Sequence, residues 1–225
     1  MVTVTVEQKD LEELVRAKLP SDLLALNEIL SQIKCEATRA FSEESGVEEL
    51  TLENKDTNRP DLWSPEGVAR ALRGFLGLET GIVDYKIAGA SRVSIKVDSR
   101  LKRIRPFIGC SIVKGVKLSD AAIRGLMHLQ DKLDESYGRR RRRSSIGVYE
   151  FDLIRPPLRY GAAGPDEISF VPLGTNERMT LREILVRHPK GIEYGHIVQS
   201  NPLWPVLLDS RENVLSFPPV INSND

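Results

Sequence analysis

The sequence predicts an α+β (mixed α/β) fold, with a small N-terminal β-α-α-β-α module followed by a β-rich domain of mixed sheet with flanking helices. Strand-like and helix-like stretches alternate irregularly, which favours this class over a doubly wound sheet. Residues 81–91 read as a linker, after which short β-rich runs are punctuated by proline and glycine. The 225 residues suffice for one sizeable core or two small ones, so the chain divides into domains 1–85 and 86–225.

Val2–Val6 alternates valine and threonine, a short strand. Residues 9–18 and 23–33 are amphipathic helices broken at Pro20, with Ser21 or Asp22 capping the second. Residues 47–52 form a strand leading into a turn at 58–61. The strongest helix start follows. Ser64 is placed as the N-cap, Pro65 at the first helical position and Glu66 in the first turn, beside the positive end of the helix dipole. Val68, Leu72, Phe75 and Leu76 then share one face.

Beyond the linker, residues 93–97 alternate, and residues 108–113 with Val116 are apolar enough for a buried strand. The longest helix covers 121–137, with an apolar stripe at Ala122, Leu126, Leu129 and Leu133, and Gly138 ends it before five consecutive arginines, 139–143. Residues 158–160, 168–171, 206–208 and 214–217 are further strands, with a short helix at 181–187.

Composition excludes several classes. Apolar residues at 40% against 28% charged are ordinary for a soluble globular protein, and the net charge of zero means that any nucleic-acid footprint is local. No apolar run approaches the ~20 residues of a membrane span, and the charged N-terminus is no signal peptide. Cys35 and Cys110 lack C-x-x-C spacing and read as buried small hydrophobes of a reducing cytoplasm. His128, His188 and His196 have no ligand spacing and read as structural, so no metal site is assigned. G-x-S-x-G, a P-loop and a dinucleotide fingerprint are absent, no cysteine has an evident histidine partner, and no catalytic residue is assigned.

Three features carry chemistry. The arginine run either complements the preceding helix dipole as a solvated loop or contacts phosphates. Pro218–Pro219, between Ser216 and Asn222, either forms a rigid extended wall suited to recognition or turns the chain at a sheet edge. Glu150, Asp152 and Asp209 are carboxylates able to orient a water or hold an amino group, although a surface ion pair with the arginines fits Glu150 equally.

Residues 58–72 read N-R-P-D-L-x-S-x-E-G-x-A-R-A-L, which resembles the signature near the N-terminus of the β subunit of phenylalanyl-tRNA synthetase. Four further blocks resemble the archaeal and eukaryotic form of that family, in the same order and spacing. K-R-I-R-P-F-I-G-C-S-I-V-K-G-V-K-L (102–118) is similar to the opening strand of its editing domain, and residues 129–154 to the helix, basic turn and I-G-x-Y/H-D-L-D block. I-S-F-V-P-L-G-T-N-E-R-M-T-L-R-E-I-L resembles the I-x-F-x-P-L run with its short helix. N-P-L-W-P-V-L-L-D-S-R-E-N-V-L-S-F-P-P-V-I-N-S-N-D resembles the most distinctive block, with Trp204 in place of the usual tyrosine. In the family another strand follows, bearing an Asp-x-Thr-like element of the editing pocket, so the chain is expected to be an N-terminal piece, cut or naturally short.

The resemblance implies post-transfer editing, the hydrolysis of tyrosine wrongly esterified to phenylalanine tRNA. It places Leu207, Ser216, Pro218 and Asn222 at the editing pocket, with Ser216 reading the hydroxyl and Leu207 packing on the ring, and Arg141 and Arg143 as tRNA contacts. Water would be the nucleophile, as no protein nucleophile stands out. ATP and magnesium serve the complete synthetase, with no cofactor in this part, and the α subunit joins it in an (αβ)₂ assembly. Two other readings stand beside this one: a non-catalytic tRNA-binding or subunit-scaffold module, and a sugar- or nucleotide-phosphate binder using the arginines as an anion site.

Overall fold

The structure, a computed structural model, describes residues 2–43 and 46–224. It divides into two compact units, residues 1–87 with 117–133 and residues 88–116 with 134–225.

In the first unit, β1 (Val2–Val6), α1 (Gln8–Val15), α2 (Leu23–Ser31), β2 (Cys35–Phe41), β3 (Glu48–Asn54) and α3 (Pro65–Phe75) follow in order. The strands form an antiparallel sheet ordered β1-β3-β2. The module thus holds one strand more than the sequence predicts. The β2 segment CEATRAF buries only Cys35 and Ala37, with the exposed Glu36 between them, so its apolar signal is weak. It is held at both backbone groups of Ala37, which bond the Asn27 amide at 2.6 and 3.0 Å. Leu11, Val15, Leu26, Leu30, Leu50, Leu52, Val68 and Leu72 make the core. Asp22, rather than Ser21, caps α2 through the Ala25 N–H at 2.9 Å.

The family-like signature is built as a helix entrance. Ser64 Oγ accepts the Gly67 N–H at 3.2 Å, and Pro65 takes the first helical position. Arg59 grips the Asp61 carboxylate with two nitrogens, at 2.9 and 2.7 Å, while Leu62 is fully buried. A Cβ at Gly67 would land on the Asp61 carbonyl, so only glycine lets the turn lie against the helix. The buried face of α3 is Gly67, Val68, Ala69 and Leu72; Phe75 and Leu76, expected on it, are exposed because the last helical turn runs past the core.

In the second unit the sheet is mixed, ordered β10-β9-β8-β5-β4. Here β4 (Ile95–Val97) pairs parallel with β5 (Leu158–Ala163), while β8 (Trp204–Leu208), β9 (Val214–Phe217) and β10 (Ile221–Asn222) join antiparallel. Between them come α4 (Asp120–Glu135), a two-strand ribbon of β6 (Ser169–Phe170) with β7 (Met179–Thr180), then α5 (Leu181–Arg187) and α6 (Pro189–Tyr194). α5 opens with a capping box between Thr180 and Glu183. Residues 117–133, including most of α4, group with the first unit.

The strand expected at 108–113 does not form: Phe107 is 90% and Val113 75% exposed. Among the described residues no strand pairs with this run, which meets the core only through Ile108, half-buried against the cluster of Leu101, Tyr160 and Leu207. Cys110 on that run is exposed, against expectation, whereas Cys35 is buried and its thiol is pushed up to about 11 by burial. The expected stripe on α4 is shallow, with Leu126 exposed.

Candidate functional site

The sheet register aligns the sequence-predicted pocket residues. Val97 pairs with Tyr160, Tyr160 with Leu207, Leu207 with Ser216 and Ser216 with Asn222, giving one row across all five strands. Ser216 reaches this row through a β-bulge. Leu208 pairs with Val214 while Leu207 pairs with Ser216, leaving Leu215 as the extra residue. Val214 and Phe217 pack in the core on one face, whereas Leu215 packs with Leu207 and Tyr160 on the other. The bulge therefore sets Leu215 and Ser216 on the same face, where strict alternation would send Ser216 into the opposite core.

Onto this row folds Tyr149, from the irregular segment after the arginines. Its hydroxyl lies 2.9 Å from Ser216 Oγ and 3.2 Å from Asn222 Oδ1, so its one proton can serve either. Its ring packs with the core of Leu101, Leu158, Tyr160 and Leu207. Burial pushes the Tyr149 phenol above its usual range, and that of Tyr160 up to about 12. Leu207 and Ser216 are 4% and 2% exposed, and Asn222 is half-buried. No sequence reading singles out Tyr149; the available signal is Gly147 two residues before it, in a stretch that mixes apolar and polar residues from Ile146 to Leu153.

Pro218 and Pro219 form a turn, not an extended wall. The Val220 N–H donates to the Phe217 carbonyl at 2.7 Å, the Pro218–Pro219 peptide is cis, and the pair joins β9 to β10. Pro218 stands half-buried beside the row and Pro219 is buried.

The basic turn is left-handed at Arg139, Arg140 and Arg141, with φ of 51°, 54° and 61°. Gly138 is buried beneath it, where a Cβ would sit 2.5 Å from the Asp134 carbonyl oxygen. This geometry sends the arginines in different directions. Arg141, expected as a tRNA contact, turns inward: its Nε lies 3.1 Å from the buried Asp134 carboxylate and its guanidinium 4.3 Å over the Tyr194 ring. Its Nη1 donates to the Pro219 and Val220 carbonyls at 3.3 and 3.1 Å, tying the turn to the end of the row. Arg143 is exposed, and with Arg139, Arg140 and Arg142 it borders an open hollow of about 680 Å³. Behind it a second hollow of about 400 Å³ is lined by Arg105, Arg142 and His196 among others. Arg105 is committed to the Arg141 carbonyl at 3.1 Å and the Ser145 hydroxyl at 3.3 Å.

Of the remaining candidates, Asp209 and His188 have structural bonds. Asp209 accepts the Arg211 and Asn213 N–H groups at 2.8 and 3.0 Å and the Asn213 amide at 3.0 Å, closing the β8–β9 hairpin. Burial opposes its ionisation, but these bonds prevail and its carboxyl is held below the usual range. Glu150 and Asp152 are exposed, and among the described residues neither forms an ion pair. His188 is buried, accepting the Lys190 N–H at Nδ1 (3.1 Å) and lying 3.2 Å from the Leu173 carbonyl at Nε2. His128 and His196 are exposed. Among the described residues no three His, Cys, Asp or Glu side chains gather as metal ligands, and no helix is long and apolar enough to cross a membrane.

No protein-family model matches the chain. It is 46% identical, over 97% of its length, to the phenylalanine–tRNA ligase β subunit of Pyrococcus furiosus, of which it spans 38%. The corresponding subunit of Methanothrix thermoacetophila is 50% identical over 73% of the chain and 30% of that protein. A crystal structure of an N-terminal fragment of the phenylalanyl-tRNA synthetase β subunit from Pyrococcus horikoshii superimposes with a TM-score of 0.90 at 42% identity, covering 98% of this chain and 62% of that one. The chain therefore spans less than two-fifths of the length of these full subunits, and it belongs to the archaeal-type phenylalanyl-tRNA synthetase β-subunit family.

Proposed function

We propose that the second unit is the editing domain of a phenylalanyl-tRNA synthetase and hydrolyses tyrosine mischarged onto phenylalanine tRNA. The observation that supports this reading is the row itself: Leu207 beside two hydroxyl-binding groups, Ser216 and Asn222, on an otherwise apolar face. A synthetic pocket rejects an added hydroxyl poorly, so a second site that requires the hydroxyl is useful. When phenylalanine enters such a site, the buried Ser216 and the half-buried Asn222 lose a partner, which disfavours it. Pro218 shapes the end of the pocket, and Arg143 with its exposed neighbours meets the tRNA phosphates, Arg141 holding the turn that carries them.

In the reaction a water oxygen bonds to the ester carbonyl carbon, the carbon–oxygen bond to the ribose breaks, and the leaving ribose oxygen takes a proton. Ser216 is assigned to recognition: its described partner is the Tyr149 hydroxyl, with no histidine beside it to act as base. The complete assembly, an (αβ)₂ synthetase with the α subunit, attaches phenylalanine to its tRNA with ATP and magnesium. The residues present do not fit that pair, having neither a phosphate-cradling loop nor a ligand cluster among the described residues.

The test is deacylation of Tyr-tRNA and Phe-tRNA, both on phenylalanine tRNA, by the chain and by the assembled synthetase, each with and without Ser216→Ala. Selective release of tyrosine that Ser216→Ala abolishes, with phenylalanine charging unchanged, supports the reading. Equal loss of editing and charging sinks the pocket assignment. Steeply salt-dependent tRNA binding without hydrolysis by either form makes the region a binding scaffold instead.

A further inference from the structure

We propose that Tyr149 is a built-in plug of this pocket, its phenol occupying the place of a tyrosyl ligand's phenol, so that the segment around it must swing out for substrate to enter. The inference rests on the reading of the row as a phenol-recognition site and adds its regulation. Both polar groups of the row, Ser216 Oγ and Asn222 Oδ1, are within hydrogen-bond distance of this one hydroxyl. The ring lies in the same cluster as Leu207, the residue assigned to an incoming ring. Ser216 and Leu207 are closed off from solvent at 2% and 4% exposure, so no ligand reaches them while the phenol is in place.

The plug is set on a suitable hinge. Just before it, the chain is anchored where the Ile146 N–H donates to Asp134 at 3.1 Å and Ser145 meets Arg105 at 3.3 Å. Gly147 follows the anchor, and the ring folds back on it so closely that a Cβ there would lie 2.7 Å from the Tyr149 oxygen. Val148, Glu150, Asp152 and Leu153 around the ring are exposed and Phe151 is half-buried, so between the Ile146 anchor and Ile154, which packs on the same cluster, the Tyr149 side chain is the main hold on this stretch. A segment so lightly held opens at a low free energy. A ligand that needs the open state binds more weakly in proportion to the fraction open, so a pocket open one-tenth of the time loses about tenfold in affinity.

The experiment is calorimetric titration of the full chain with L-tyrosinamide and L-phenylalaninamide, comparing the parent with Tyr149→Ala, Tyr149→Phe and Tyr149→Ala/Ser216→Ala. Tyr149→Ala is expected to bind tyrosinamide about tenfold or more tightly than the parent, with no equal gain for phenylalaninamide. Ser216→Ala should cancel the gain. Tyr149→Phe, which keeps the ring packing and loses only the hydroxyl contacts, is expected to gain less, and it carries the test if the alanine variant does not fold. A parent that binds tyrosinamide as tightly as the Tyr149 variants, selectively and through Ser216, overturns the plug and leaves the phenol reading standing. Equal tightening for both amides supports a vacated ring site but overturns phenol recognition. No binding by the Tyr149 variants overturns the plug.

Discussion

The two faces of the five-stranded sheet are built on opposite terms. One is dry and regular: Trp204, Val206, Leu208, Val214 and Phe217 meet Leu181 and Ile184 of α5, with the Trp204 and Phe217 rings stacked 5.7 Å apart. The other departs from regularity at each point that concerns the site. A bulge turns Ser216 onto it, a phenol is buried with its hydroxyl on Ser216 and Asn222, and three left-handed arginines precede the segment covering it. The difference teaches that the first face supplies stability and the second uses part of it to fix polar groups where apolar ones would pack more simply.

The sharpest way to break this division is to delete from each face. Phe217→Ala should destabilise by about 3–5 kcal/mol, read as a lowered urea midpoint at unchanged slope, because a fully buried ring leaves a cavity. Arg141→Ala should cost about 3 kcal/mol, since it removes the cation paired with the buried Asp134 carboxylate and the donor to the Pro219 and Val220 carbonyls. Arg141→Lys should recover only part of this, as a point charge cannot stack on Tyr194 while bonding two carbonyls. Arg141→Ala tolerated without loss would undo the link between basic turn and row.

Those contrasts also mark what was legible in the sequence. The helix entrance at Ser64–Pro65, α5 and strand β9 are local signals, set by caps and short apolar runs, and they form where expected. β2 and the 108–113 run differ from expectation in opposite ways. β2 forms with only Cys35 and Ala37 buried because β3 pairs along its whole length, while the more apolar 108–113 run pairs with no strand among the described residues, and such pairing is not encoded in composition. Leu207, Ser216 and Asn222 came from resemblance alone; their shared row depends on cross-strand register and one bulge. Five identical arginines carry no internal sign of which one turns inward. The choice at Arg141 is made by backbone handedness over a buried Gly138.

Alkali probes the row face through Tyr160. The Tyr160 phenol titrates at about 12, chiefly because it is buried, against about 10 in an unfolded chain. A raised folded pKa gives stability that is complete below the unfolded value and is lost as pH rises from about 10 through 12. The share due to Tyr160 should approach about 2–3 kcal/mol and be missing in Tyr160→Phe, which keeps the losses due to Tyr149, Tyr194 and Cys35, with phenol ionisation followed at 295 nm as parent minus variant. A Tyr160 titration at the ordinary value would mean that the row face is wetter than its packing implies.

Ser216→Ala should change stability by only about 0.5–1.5 kcal/mol, because the Tyr149 hydroxyl keeps Asn222 Oδ1 as an acceptor. Selectivity for tyrosyl over phenylalanyl ester should nevertheless fall about tenfold or more. A residue that matters for discrimination and little for folding is what separates this face from the other.

The smallest effect on stability belongs to Arg143. It is exposed at the end of the turn and, among the described residues, joins no ion pair, so Arg143→Ala should leave stability within about 0.5 kcal/mol. Its expected effect is electrostatic. Each phosphate neutralised adds nearly one unit to the salt dependence of binding, so the slope of log affinity against log salt should fall by about one in the variant. Arg141→Lys, inward and committed to carbonyls, should not lower that slope in tRNA binding. A slope that fell with Arg141→Lys and not with Arg143→Ala would mean that the turn reverses on binding, the buried arginine leaving Asp134 for the phosphate.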